Sequence, residues 1–204
     1  MVAELAGGFA VVGAGAWLFG RAQPAAVRGT LKSKGLKGFV CPDRAALSLC
    51  EIAESGVAHC AASDRPFLTR IDCGAPVSAV SDKVLVAPAE ARSGARLVKL
   101  VPLSFSRSVR VTEFSSEWVV MATRSRTTRI ALAEGESLGV RPGAAVAWTG
   151  PRPTGFCPRL RLLDVLLPRG PRDLLLHFHG PAIVWIEGSE PLPLRTAAPR
   201  RAVF

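Results

Sequence analysis

Between Ala131 and Trp148 the chain reads ALAEGESLGVRPGAAVAW, two alternating apolar runs separated by punctuation that only a tight sheet tolerates. Ile130, Leu132, Leu138, Val140, Ala144, Val146 and Trp148 share one parity, so in extended conformation they line one side of a sheet. Arg129, Ser137 and Arg141 fall on the other parity. Gly135-Glu136 forms a corner before the second run, and Pro142-Gly143 predicts a type II reversal in which Gly143 takes a positive φ. Downstream, DLLLHFHGPAIVWIEG repeats the plan, with Gly180-Pro181 breaking the run before Ile183 to Ile186. The structural turn residues are therefore Gly135, Glu136, Pro142, Gly143, Gly180 and Pro181.

Further short apolar runs occur at 67–71, 83–87, 96–103, 108–111, 118–123, 128–132, 160–167 and 174–178, each bounded by Gly, Pro, Ser or Asp. Many short strands at close spacing indicate an all-β sandwich or barrel and argue against alternating strand-helix units. One exception is expected at Asp43 to Glu54, where Ala46, Leu49, Cys50 and Ala53 fall on a helical face; a strand carrying Leu47 and Leu49 is the alternative.

The amino-terminal run Leu5 to Gly20 has sixteen residues without charge or Pro and is followed by Arg21, Arg28, Lys32, Lys34 and Lys37. As a helix it would span roughly 24 Å, short of a hydrocarbon core of about 30 Å. Its basic flank nevertheless suits a membrane anchor with the remainder on the cytoplasmic face, against the alternative of a Gly-rich strand or buried helix of the domain. A signal peptide is disfavoured because no basic residue precedes the run. This gives three segments: 1–38 apolar segment and basic connector, 39–190 β domain, and 191–204 extended basic tail. Of the formal net charge of +10, the five basic residues from Arg21 to Lys37 supply half. Anionic partners follow: a membrane surface first, nucleic acid second.

No sequence motif specifies a reaction. His177 and His179, at i and i+2 on a strand, point the same way and are the strongest metal candidates, but a cupin-like enzyme would add a nearby carboxylate and a later His. Glu187 is eight residues beyond His179 and no His follows, so a solvated pair is the commoner reading. Glu134 and Glu136 flank Gly135 as an acid pair that a charged turn explains equally. Ser104, Ser106 and Ser108 lie in no nucleophile elbow, and no phosphate-binding glycine loop occurs. Arg107, Arg110, Arg124, Arg126 and Arg129 could meet phosphates, but the interleaved aromatics of single-strand binders are missing, with no Tyr in the chain. The five cysteines, Cys41, Cys50, Cys60, Cys73 and Cys157, show no Cys-x-x-Cys spacing; a zinc site using four of them with His59 is less expected than reduced, buried thiols.

The run WVVMATRSRTTRIALAEGESLGVRPGAAVAWTG, with the later LLLHFHGPAIVWIEG, resembles the altered-inheritance-of-mitochondria protein 24 family, whose fold is likened to the tryptophan RNA-binding attenuator protein. The matching features are Gly135-Glu136-Ser137, Val140, Pro142-Gly143, Val146-Ala147, Gly180-Pro181, Val184 and Trp185. The family often has Gly where this chain has Ala182. The resemblance implies a double-layered all-β domain, often oligomeric, without established catalytic residues, and mitochondrial in eukaryotes. The resulting expectation is a non-catalytic structural or interaction protein, a homo-oligomer without cofactor or small-molecule substrate. Its expected location is the cytoplasm or the cytoplasmic face of a membrane. A basic nucleic-acid-binding domain and a cupin-like metal-dependent enzyme using His177 and His179 are the alternatives.

Overall fold

A computed structural model describes residues 3–6, 8–20, 24–34, 47–101, 104–115, 118–156, 175–188 and 195–197. They form an all-β structure of stacked antiparallel sheets, none of which closes into a barrel. An outer four-stranded sheet has the order β1 (Ala3–Ala6), β2 (Phe9–Val12), β7 (Val57–Cys60), β4 (Pro24–Arg28). The inner six-stranded sheet beside it runs β5 (Leu31–Lys34), β6 (Ser48–Ile52), β3 (Gly15–Phe19), β10 (Val84–Pro88), β13 (Trp118–Thr123), β8 (Phe67–Asp72). A second inner sheet runs β11 (Arg92–Val101), β12 (Ser104–Phe114), β9 (Val77–Val80), β16 (Ala145–Thr149), β19 (Ala182–Glu187), β14 (Thr127–Leu132). A second outer sheet closes the stack with β17 (Thr154–Phe156), β18 (Leu175–His179), β15 (Glu136–Val140), β20 (Arg195–Ala197).

Three apolar interfaces hold these layers together. Ala10, Val12, Ala58 and Cys60 of the first outer sheet pack on Trp17, Phe19, Cys50 and Ile52 of its inner neighbour. Leu138, Val140, Leu176 and Phe178 of the second outer sheet pack on Trp148, Val184 and Leu132. Between the inner sheets lie Leu18, Val84 and Met121 from one side and Ala79, Phe114 and Val146 from the other. An inner strand is therefore dry on both faces, and β9, β10 and β13 are buried at every position.

The two halves share one plan. Reading the inner sheets from β5 to β8 and from β14 to β11 sets β3 against β16, β10 against β9 and β13 against β12. In the outer sheets β2 then matches β15, and β7 matches β18. The likeness reaches individual residues: Trp17 and Trp148 are each fully buried under their own outer sheet, and Gly8 and Gly135 both adopt positive φ just before β2 and β15. The halves also exchange chain. It leaves the second inner sheet for the first through Ser81–Lys83, returns through Ala89–Ala91, and crosses again after Phe114 and after Thr123.

Several expectations change. Leu5 to Gly20 does not form an anchoring helix: β2 and β3 occupy it, and Ala10, Val12, Trp17, Leu18 and Phe19 are core. Gly20 at its end serves close sheet packing, since a Cβ there would stand 1.7 Å from the Val84 carbonyl oxygen. Among the described residues no helix is long and apolar enough to cross a membrane. The basic connector is not a linker where it is described, because Arg28 ends β4 and Lys32 and Lys34 lie on β5; Arg21 and Lys37 lie outside the described residues. The sheets thus continue across position 38, and Arg195–Ala197 of the tail adds an edge strand through pairing with β15. The expected helix is instead β6, with Leu47 buried between the inner sheets and Cys50 and Ile52 under the outer one; residues 43–46 and the run 160–167 lie outside the described residues.

Single-face parity also fails at β16. A register shift between Ala145 and Ala147 sends Val146 and Ala147 toward the other half while Ala145 and Trp148 stay under β15 and β18. The Pro142-Gly143 reversal exists, but without a positive φ at Gly143: the Arg141 carbonyl accepts from the amides of Ala144 and Ala145, a right-handed turn that any residue permits. Of the predicted turn glycines, Gly180 is the one that sterics require, since a Cβ there would lie 1.8 Å from the Ala133 carbonyl oxygen. Gly180→Ala is expected to cost about 3 kcal/mol or more in urea unfolding. Gly143→Ala, with no neighbour within 4 Å, should stay within about 0.5 kcal/mol of the parent, on the stabilising side.

Candidate functional site

Lys83 stands at the first crossing, one residue before a strand buried at every position. Its side chain is only 6% exposed, yet every proton of its ammonium has an acceptor: the carbonyls of Gly143 at 2.6 Å and Ala145 at 2.8 Å, and Glu187 Oε1 at 2.6 Å. Glu187 Oε2 in turn accepts from the amide of Arg124 at 3.0 Å. Burial pushes the Lys83 amine below its ordinary value, against the opposing hold of Glu187. The cluster joins β10, the turn before β16, the end of β19 and the β13–β14 crossing, so it fixes how the halves interlock. With all three ammonium protons accepted by groups of the chain, its role is structural. Sequence reading missed it because Lys83 and Glu187 are 104 residues apart. The available signal was the Ser-Asp-Lys break between Val77–Val80 and the wholly apolar Val84–Pro88.

On the outer face of β18 lie His177 and His179, opposite in direction to Leu176 and Phe178 beneath them. The rings are 4.5 Å apart, edge to face. Their cross-strand neighbours are small: Gly139 and Thr154 beside His177, and Ser137 beside His179. Burial, then the neighbouring His179, lowers the basicity of His177. Among the described residues no group of three or more His, Cys, Asp or Glu side chains could hold a metal ion, so the ligand set of a cupin-like centre is not assembled. The proposed cysteine-zinc grouping is likewise not assembled: Cys50 and Cys60 lie under the first outer sheet, whereas Cys73 lies between the inner sheets. Cys41 and Cys157 lie outside the described residues. Burial pushes the Cys60 thiol up to about 12 and that of Cys73 to about 11, so both remain protonated and unreactive at neutral pH.

The remaining candidates separate in space. Glu136 accepts from the Ala133 amide at 2.9 Å and closes its own turn, which gives this carboxylate a structural role. Arg124, Arg126 and Arg129 are exposed around the β13–β14 crossing, while Arg110 is half-buried on β12; the Arg107 side chain lies outside the described residues. A cavity of about 490 Å³, which sequence reading did not anticipate, is lined by residues 61–65, 82–85 and Ala122. Both of its cationic residues are already engaged: Arg65 by the Asp82 carboxylate at 2.9 Å and by the Asp82 carbonyl, and Lys83 by Glu187 and two carbonyls.

The sheet edges carry a different signal. Large apolar side chains are exposed at Leu5 on β1, Val27 on β4, Phe67 on β8 and Leu97 on β11, each an edge strand, and at Phe9 on β2. Leu97 is the most exposed of them at 56%.

No family model matches the chain, and no curated protein matches it. Among solved structures it is similar to the crystal structure of protein SPYM3_0169 from Streptococcus pyogenes, a structural-genomics target. The identity is 11% and the TM-score 0.68, over 92% of each chain. At that identity the likeness establishes the fold alone.

Two measurements check this geometry. Glu187→Gln leaves a buried ammonium short of its counter-charge and should destabilise the protein by about 3 kcal/mol or more in chemical unfolding. Lys83→Met combined with Glu187→Leu should cost less than the two single changes added. In an NMR titration His177 should protonate below its ordinary 6.5. Because the unfolded chain binds that proton more readily, this contribution to stability is present above pH 6.5 and lost as the pH falls through the lower folded midpoint. His179→Gln should raise the His177 midpoint only in part, since burial is the larger cause.

Proposed function

We propose that this chain is a non-catalytic structural or interaction protein that assembles with copies of itself through its sheet edges. The observation that carries the reading is the placement of exposed apolar side chains on edge strands in three of the four sheets: Leu5 and Val27, Phe67, and Leu97. An edge strand offers unpaired backbone donors and acceptors, and soluble chains that remain single usually guard such edges with charge or Pro. Here large apolar side chains are exposed beside the charges of Arg28 on β4 and of Arg70 and Asp72 on β8, which favours lateral packing.

The resemblance to the altered-inheritance-of-mitochondria protein 24 family supports the same reading, and we place the chain beside that family on Gly135-Glu136-Ser137, Pro142-Gly143 and Gly180-Pro181. Membrane tethering through Leu5 to Gly20 does not enter the proposal, because Trp17 and Phe19 are needed in the core. Nucleic acid is the weaker partner: beside the exposed Arg124, Arg126 and Arg129 stands the exposed Phe67, opposite Thr123, and not the interleaved series of aromatics that single-strand binding uses.

Sedimentation velocity of the full chain over a range of concentrations tests the proposal. The expected result is a species heavier than one chain. Leu97→Lys or Phe67→Lys should weaken association by about tenfold or more, equivalent to about 1.4 kcal/mol, with little change in the unfolding midpoint. A single-chain species at every concentration overturns it.

A further inference from the structure

The two outer sheets share one plan, and their difference isolates a feature that the fold itself does not require. His59 on β7 lies opposite Val11, as His177 on β18 lies opposite Gly139. Each histidine points outward beside an inward core residue, Cys60 in one case and Phe178 in the other. In the first sheet the single imidazole packs edge-on against Phe9, with ring centres 6.2 Å apart. Two residues beyond His59 the chain has Ala61; two residues beyond His177 it has His179. The second outer sheet also replaces the flanking Phe9 and Val11 by Ser137 and Gly139, so the cross-strand neighbours of its imidazoles are small. One half therefore shows that this position can be filled with one histidine and an aromatic cover, and the other carries two histidines and small neighbours.

We propose that His177 and His179 together bind a divalent transition-metal ion of the imidazole-preferring class, Zn²⁺ or Cu²⁺, on the outer face of the second outer sheet. Side chains at i and i+2 of a strand project the same way, so the pair is pre-oriented by the backbone and loses little entropy on chelation. With metal–nitrogen bonds of about 2.0–2.1 Å, two imidazoles in adjacent coordination positions bring their ring centres to roughly 4.5–5 Å. The observed 4.5 Å lies within that range before any ion is added. The ligand form of imidazole is the neutral one, and the lowered basicity of His177 keeps it neutral at pH 7. No third His, Cys, Asp or Glu joins them among the described residues, so water fills the other positions and the site is a two-imidazole chelate, weaker than a closed structural centre. This assignment does not depend on self-assembly.

The test is calorimetric titration of Zn²⁺ and Cu²⁺ into the full chain at pH 7.5, with an electron paramagnetic resonance spectrum of the Cu²⁺ form. Saturable binding at micromolar metal is expected, with nitrogen coupling in the Cu²⁺ spectrum. His177→Gln and His179→Gln should each lower affinity by about tenfold or more, because loss of a ligand exceeds the usual effect of disturbing its outer partners. His59→Gln should leave binding unchanged. Both variants alter surface positions, and near-UV circular dichroism establishes that they fold. Absence of saturable binding at micromolar metal overturns the proposal, as does binding that survives either single substitution or is lost equally with His59→Gln.

Discussion

The interlock at Ser81–Lys83 is the constraint on which the other layers depend. Two inner sheets exchange strands, so their central strands are covered on both faces, and the crossing at Ser81–Lys83 carries polar backbone through a buried interface. Backbone groups there cannot rely on water, and an unsatisfied one costs about 1–3 kcal/mol. Lys83 answers this at one point by donating to the carbonyls of Gly143 and Ala145, while Glu187 neutralises its charge and also accepts from Arg124. The arrangement is costly to build, since an ammonium must be desolvated, but once built it is specific: a slipped register at β10, β16 or β19 would strand the charge. The contact of Trp148 with Phe178 then packs the second outer sheet onto an inner sheet already held in place, while Trp17 and Trp118, side by side within the first inner sheet, form the floor on which the first outer sheet rests.

Much of the architecture is legible in the sequence because strands announce themselves locally. Trp118 to Thr123, Thr128 to Leu132, Leu138 to Val140 and Ile183 to Ile186 all fall within observed strands. Parity was less informative for the inner layers, because a strand buried on both faces has no polar side to read. Val146 and Ala147 turn toward the other half through a register shift that no alternation rule predicts. The apolar amino terminus misleads for a related reason: Trp17, Leu18 and Phe19 form a continuous apolar run because β3 is an inner strand, and such a run looks like a short membrane helix when taken alone.

The matching of halves was also present in the sequence, though disguised. GGFAVVGAGAWLFG and GESLGVRPGAAVAWTG both place a positive-φ glycine before an outer strand, a small-residue turn after it, and a core Trp on the following inner strand. Few side chains are held in common because the shared plan needs only those three physical features. The long-range partners had no such local signature. Neither Lys83 nor Glu187 identifies the other, and the cavity beside Arg65 arises from loops that meet only in the folded chain.

Matched halves also separate what the scaffold needs from what has been added to it. Both halves need a core Trp, close sheet packing beneath the outer strands, and an outward residue opposite Val11 or Gly139 that tolerates water. Neither the second imidazole at His179 nor its small cross-strand neighbour Ser137 follows from those needs, since the first half folds with Ala61 and Phe9 at the equivalent places. Edge residues divide in the same way. Leu97 lies on β11 and Phe67 on β8, equivalent edges of the two inner sheets, and both are exposed and apolar. A feature repeated on equivalent edges is a property of how the scaffold meets its surroundings, whereas one found on a single face, such as the paired imidazoles, belongs to what that face alone does.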